Sequence, residues 1–144
     1  MKLKSFHVTK FRNFVNSGEI IADEDVTCLV GKNEAGKSGL LEALYYLNPA
    51  HQYTLDAYKH YPRWIWAQDR RNSNIENHAP IRAKFELEDD ELDLLHNLLG
   101  EHSVTSNTIF ASRTYGGTLQ IGLDVDEKAT LKFAKSLLPR TVSK

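Results

Sequence analysis

The sequence predicts an α/β fold: a mixed sheet flanked by helices, with an antiparallel β portion. Three observations predict it. Val26-Thr27-Cys28-Leu29-Val30 is a compact β-branched and apolar run, the composition of a buried strand. A glycine-bearing loop follows it at once, and then Leu40, Leu41, Leu44 and Leu47 recur at helical spacing. Further on, Thr108 to Tyr115 and Thr118 to Leu123 read as two strands joined by Gly116-Gly117, a pair that supplies the positive φ of a tight hairpin.

The remaining elements are read in chain order. Lys2 to Thr9 alternates, with Leu3, Ser5 and His7 on one side and Phe6 and Val8 on the other, and predicts a strand. Asn16-Ser17-Gly18 predicts a turn, and Glu19-Ile20-Ile21 a short second strand. The helix after the loop is expected to stop at Asn48-Pro49, because proline disfavours a helical residue before it. From about Ala50 to Pro80 no clean period emerges, although five aromatic residues and several cations crowd there. So long a structureless loop is uncommon in a compact domain, so the segment is expected to be functional, partly helical or mobile.

Regular pattern returns at Ile81. Ile81, Ala83, Phe85 and Leu87 alternate with charged residues, as in a half-buried strand. Asp89 is expected to cap a helix with Leu92, Leu95, Leu98 and Leu99 inward and Gly100 closing it. Asp126 is expected to cap a last helix with Ala129, Phe133, Ala134 and Leu137 inward, ending before Pro139.

Bulk properties narrow the function classes. A chain of 144 residues suits one domain, here residues 1–144. The hydrophobic fraction is 41% and the charged fraction 26%, ordinary for a soluble globular protein. A formal net charge of -1 offers no global basic field for nucleic acid, so any such contact needs a local patch. The single cysteine, Cys28, cannot form an internal disulfide and fits a reducing, cytoplasmic setting. Neither a signal peptide nor an apolar stretch of the ~20 residues a membrane helix needs is visible, so no membrane partner is expected.

The chemistry sits in residues 31–38. Gly31-Lys32-Asn33-Glu34-Ala35-Gly36-Lys37-Ser38 fits G-x-x-x-x-G-K-[ST] in full, after a predicted strand and at the opening of a predicted helix. Two glycines leave no Cβ between backbone N–H groups and an anion. Those N–H groups converge at a helix N-terminus, where the dipole is positive. Lys37 is expected to reach the β- and γ-phosphates of a nucleoside triphosphate, and Ser38 to ligate Mg2+ through its hydroxyl. The expected ligand is ATP with Mg2+, bound by Gly31 to Ser38 and the adjoining Gly39. This loop makes the fold class P-loop NTPase-like.

Phe11-Arg12-Asn13-Phe14, the loop, and Leu40-Leu41-Glu42-Ala43-Leu44 together resemble the amino-terminal half of ABC-type heads. More narrowly they resemble the RecF/SMC-like ATPases, and within those the overcoming-lysogenization-defect (OLD) family and its AAA-labelled relatives. Asn33 matches the asparagine usual in these families, and Tyr61-Pro62-Arg63 resembles a turn seen in OLD-like proteins. The strong resemblance spans about Lys2 to Pro49. It implies ATP hydrolysis, a homodimer or partner head, and work on DNA in repair or phage defence. It also implies that Arg12 and Asn13 approach the base and ribose. A complete head needs a second, acidic motif and a Ser-Gly-Gly signature, and neither is present. Ile121 to Glu127 is the nearest acidic candidate, but its apolar run is short and broken by Gly122 and reads more simply as a strand end plus helix cap. The resemblance therefore implies the amino-terminal segment of a larger, here incomplete, head, able to bind ATP but poorly equipped to hydrolyse it. No catalytic residue is assigned.

Three alternatives stand beside this reading. Lys59, His60, Arg63, Arg70 and Arg71 with Trp64 and Trp66 form a candidate DNA grip, through Arg63, Arg70 and Arg71 above all, or an aromatic packing unit with solvated charges. The whole chain also admits a small P-loop kinase, disfavoured by the strands ahead of the loop, or a non-catalytic interaction module with a residual nucleotide site.

Overall fold

The computed structural model describes residues 1–31, 36–51, 54–72 and 74–138. Five strands form one sheet in the order β2-β1-β3-β4-β5, and every neighbouring pair is antiparallel. They are β1 (Lys2–Phe11), β2 (Phe14–Ile21), β3 (Ile81–Glu86), β4 (Val104–Arg113) and β5 (Leu119–Val125). The helices are α1 (Lys37–Leu47), α2 (Ala57–His60), α3 (Arg63–Asn72), α4 (Asp89–Leu99) and α5 (Glu127–Leu137). This is the expected α/β class with flanking helices, but the sheet, expected to be mixed with an antiparallel portion, is antiparallel at every described pairing.

The predicted strand at Val26 to Val30 does not form. None of the five strands pairs with it, and Val26 and Val30 are 71% and 90% exposed. A strand is stable only when a neighbour accepts its ladder, and composition carries no information about that neighbour. Only Leu29 of this run packs against the core, and Cys28 is exposed.

The first hairpin also differs from expectation. Its turn falls at Arg12 and Asn13, and Asn16-Ser17-Gly18 lies inside β2. There it forms a bulge: two β2 residues, Ser17 and Gly18, stand opposite one β1 residue, Val8. A second irregularity between Leu3 and Ser5 in the β1–β3 ladder brings Leu3 to the same core as Phe6 and Val8, against the expected alternation.

One cluster holds the core. Phe6, Val8, Ile81 and Ala83 from the sheet meet Leu40, Ala43, Tyr46 and Leu47 of α1. Thus α1 uses a stripe rotated from the leucine pattern: Leu41 is 57% exposed, while Tyr46 is buried. Leu87 is buried as expected, completing the inward row of β3. The helix at 89 is capped one residue early, by Glu88 in a reciprocal box with Glu91. Asp126 caps α5 as expected, its Oδ1 accepting from the N–H groups of Lys128 and Ala129. However, Leu98 of α4 and Ala134 and Leu137 of α5 are exposed; α4 packs on β4, and α5 packs on α4. In the last hairpin only Gly117 adopts a positive φ, of 85°.

The segment 50–80 is partly helical, and a polar latch fixes it to β1. Lys10 Nζ and the Tyr61 hydroxyl both donate to Asp69 Oδ2, at 2.7 and 2.5 Å. The Tyr115 hydroxyl donates to the Lys10 carbonyl at 2.7 Å. The Lys10 and Tyr61 hydrogen bonds hold the Asp69 carboxyl below its ordinary pKa, and burial, followed by the Asp69 bond, raises that of Tyr61. A depressed carboxyl stabilises the fold above its unfolded-state pKa and loses that contribution as pH falls through the folded-state value. Asp69→Asn is therefore expected to lower the melting temperature at neutral pH by about 3–6 °C, from about 1.5 kcal/mol of charge-assisted bonding. The gap to wild type should narrow in acid as pH falls below the ordinary aspartate value of 3.8 and through the lower folded-state value. Calorimetric melts at pH 7 and at pH 3 check both parts; equal melting temperatures at pH 7 would dismiss the latch.

Candidate functional site

Gly36 opens α1. Its φ of 85° is left-handed, and a Cβ there would lie 2.6 Å from the Phe14 ring. Glycine is thus required both by backbone conformation and by the close approach of β2. Among the described residues no side chain caps the first turn of α1, and that turn carries no acidic residue. Helix-start N–H groups need an acceptor, and the positive dipole end favours an anion. Lys37 occupies the first helical position, and its ammonium donates to the Gly31 carbonyl across the loop. Ser38 follows, exposed, and Gly39 is buried beneath. Lys32, Asn33, Glu34 and Ala35, expected in the same loop, lie outside the described residues.

These residues border an open cavity of about 630 Å³. One wall is Gly36, Lys37, Ser38 and Gly39; the β1–β2 turn supplies Arg12, Asn13 and Phe14; Lys59, Tyr61, Arg63 and Trp64 form the rest. The volume is within the ~300–1,000 Å³ typical of small-ligand sites. Sequence reasoning named the loop and, by resemblance, Arg12 and Asn13, but did not connect Lys59, Arg63 and Trp64 to them. The only hint was the Tyr61-Pro62-Arg63 resemblance, because a contact across the fold leaves no local period.

Arg12 is positioned by its surroundings. Its backbone, at φ 49°, donates to the His60 carbonyl, and its Nη2 donates to Glu42 Oε1 at 2.6 Å. Glu42 lies four residues after Ser38, one turn along the same face of α1. His60 lies beneath, stacked on Phe11 with ring centroids 5.5 Å apart. Burial lowers its pKa, partly opposed by the Glu42 carboxylate.

The cationic–aromatic cluster is divided by the fold. His60 is buried, and Trp66 packs edge-on against Tyr58 and Tyr61, so neither belongs to an exposed grip. Arg63, Arg70 and Arg71 are exposed on α3. Arg63 opens to the cavity beside Lys37, whereas Arg70 opens to a second cavity of about 830 Å³. The acidic candidate at Ile121 to Glu127 is a strand end and a helix cap. Among the described residues no group of three or more His, Cys, Asp or Glu side chains converges on a metal site. No described helix is long and apolar enough to cross a membrane.

A family model described as an AAA ATPase domain matches residues 1–133. The chain belongs to that family. A solved chain, from work on ATP-driven dimerization and DNA-stimulated activation of SMC ATPases, aligns with 94% of this AAA ATPase domain sequence and 79% of its own. The two are 15% identical, with a TM-score of 0.45. No curated protein matches the sequence.

The residues present fit a triphosphate with Mg2+. An anion there would meet a helix start that no described side chain caps, a lysine ammonium at that start, and a glycine too close to Phe14 to carry a Cβ. Ser38 supplies an exposed hydroxyl of the hard-oxygen type that Mg2+ prefers.

Proposed function

We propose that this chain is the ATP-binding P-loop segment of a RecF/SMC- or OLD-like ATPase acting on DNA, in repair or phage defence. The observation that carries the proposal is the placement of Lys37 and the start of α1 on the wall of the cavity of about 630 Å³. Gly31 and Gly36 to Gly39, with the intervening 32–35, would hold the phosphates. Lys37 would neutralise the β- and γ-phosphate charge, and Ser38 would ligate Mg2+. Arg12 and Asn13, which border the same cavity, would meet the ribose and base side. Bound Mg2+ supplies charge neutralisation to the phosphoryl oxygens; the chain's own part is to bind and orient. The ATPase family match over residues 1–133 supports this reading.

Calorimetric titration of the chain with ATP in Mg2+, and again in EDTA, tests it. Saturable binding that weakens in EDTA supports the assignment. Absence of binding in both conditions sinks it.

For DNA, the supporting observation is that Arg63, Arg70 and Arg71 are all exposed on one helix. Seven residues separate the first two, so they fall on nearly one face about 10 Å apart. Duplex DNA is expected to bind with affinity that drops as salt rises, and Arg70→Ala/Arg71→Ala should flatten that salt slope by about two ions. Fluorescence anisotropy from 50 to 200 mM salt reads it. An unchanged slope would remove Arg70 and Arg71 from any DNA contact.

A further inference from the structure

The two tryptophans of this chain sit two positions apart and have different surroundings. Trp66 is half-buried and held edge-on by Tyr58 and Tyr61, with ring centroids 6.2 and 5.5 Å away. Trp64 is 61% exposed, and among the described residues no ring packs on it. It stands in the first turn of α3, after Pro62, and borders the same cavity as Gly36, Lys37 and Ser38. The latch of Lys10, Tyr61 and Asp69 fixes α3 to β1, so this wall is held in place before any ligand arrives. A large apolar face left open on a cavity rim is suited to a flat partner that brings its own π surface.

The geometry points to Trp64 as the platform on which the nucleobase of the bound triphosphate stacks, in the cavity that the start of α1 also borders. This deepens the triphosphate reading of the loop and rests on it. Division of labour follows from chemistry. The helix start and Lys37 attract charge, and Trp64 offers no charge but a broad polarisable face. Arg63 and Lys59 beside it add cations to a rim whose ligand is anionic. Phe14 cannot take this role on its Gly36 side, because its ring already closes on Gly36.

The test compares ATP with inorganic tripolyphosphate, which has the charge but no base, by calorimetry on the full chain. Trp64→Ala is expected to weaken ATP about tenfold while leaving tripolyphosphate within twofold of wild type. Trp64→Phe should recover most of the ATP affinity, since it keeps a stacking face. Unchanged ATP affinity in Trp64→Ala overturns the inference, and so does an equal loss for both ligands, which would mean that Trp64 supports the loop's structure. Lys37→Ala separates the two layers. If it leaves tripolyphosphate binding intact, the loop reading itself fails and the base platform falls with it.

Discussion

Lys37→Ala is expected to abolish measurable ATP binding and to leave the melting temperature within about 2 °C of wild type. The binding loss is large because the ammonium is the full positive charge on the α1 wall of the cavity. Each hydrogen bond to a charged group contributes about 1.5–3 kcal/mol, and contacts to two phosphates bring the loss to about a hundredfold or more. The fold should be spared because the bond that Lys37 makes to Gly31 is exposed. Lys37 takes no part in the core, which α1 builds from Leu40, Ala43, Tyr46 and Leu47. Calorimetry in Mg2+ paired with a thermal melt reads both quantities. Wild-type affinity in this variant would show that the helix start is not a phosphate site, however well its sequence fits.

Gly36→Ala should damage both stability and binding. The left-handed φ of 85° costs an L-residue about 1–2 kcal/mol. The new Cβ would also stand 2.6 Å from the Phe14 ring, so something must move. If the ring gives way, it moves within the cavity that it lines; if the helix start gives way, Lys37 and Ser38 shift with it. Either response weakens the site. The expected outcome is a melting temperature lower by about 3–8 °C and ATP affinity reduced at least tenfold. Gly36→Ala combined with Phe14→Ala divides the causes. Removing the ring relieves the clash but not the backbone strain, so the double variant should recover part of the stability that Gly36→Ala loses. If Gly36→Ala melts and binds as wild type does, neither the strain nor the close contact matters.

These two residues also show where sequence and structure each speak. The glycine pair and the lysine were legible because they serve a local purpose: backbone approach and charge at one helix start. The alternation of Ile81, Ala83, Phe85 and Leu87, and the Asp126 cap, were legible for the same reason, since period and capping are properties of neighbouring residues. The close approach of Phe14 to Gly36 was not, because it depends on how the β1–β2 hairpin lies against α1. Val26 to Val30 marks the opposite failure. Its composition suits a strand, but pairing is a relation between two segments, and no described strand of this chain supplies the second.

The segment from 50 to 80 carries the main lesson about the candidate site. Its aromatics and cations had no period, because α2 and α3 are short and use their residues for unlike tasks. His60 stacks in the core, Tyr61 joins the latch, Trp66 packs edge-on, and Trp64 and Arg63 open to the cavity. Sequence alone determined the G-x-x-x-x-G-K-S pattern, the α/β class, the half-buried β3 and the charge inventory, all of which are set by residues within a few positions of one another. Tertiary structure alone decided which strands pair, which face of α1 is buried, and which side chains from 59 to 64 meet the loop. Those outcomes depend on packing between segments far apart in the chain, where burial of apolar area and satisfaction of backbone hydrogen bonds select one arrangement among many that local preference allows.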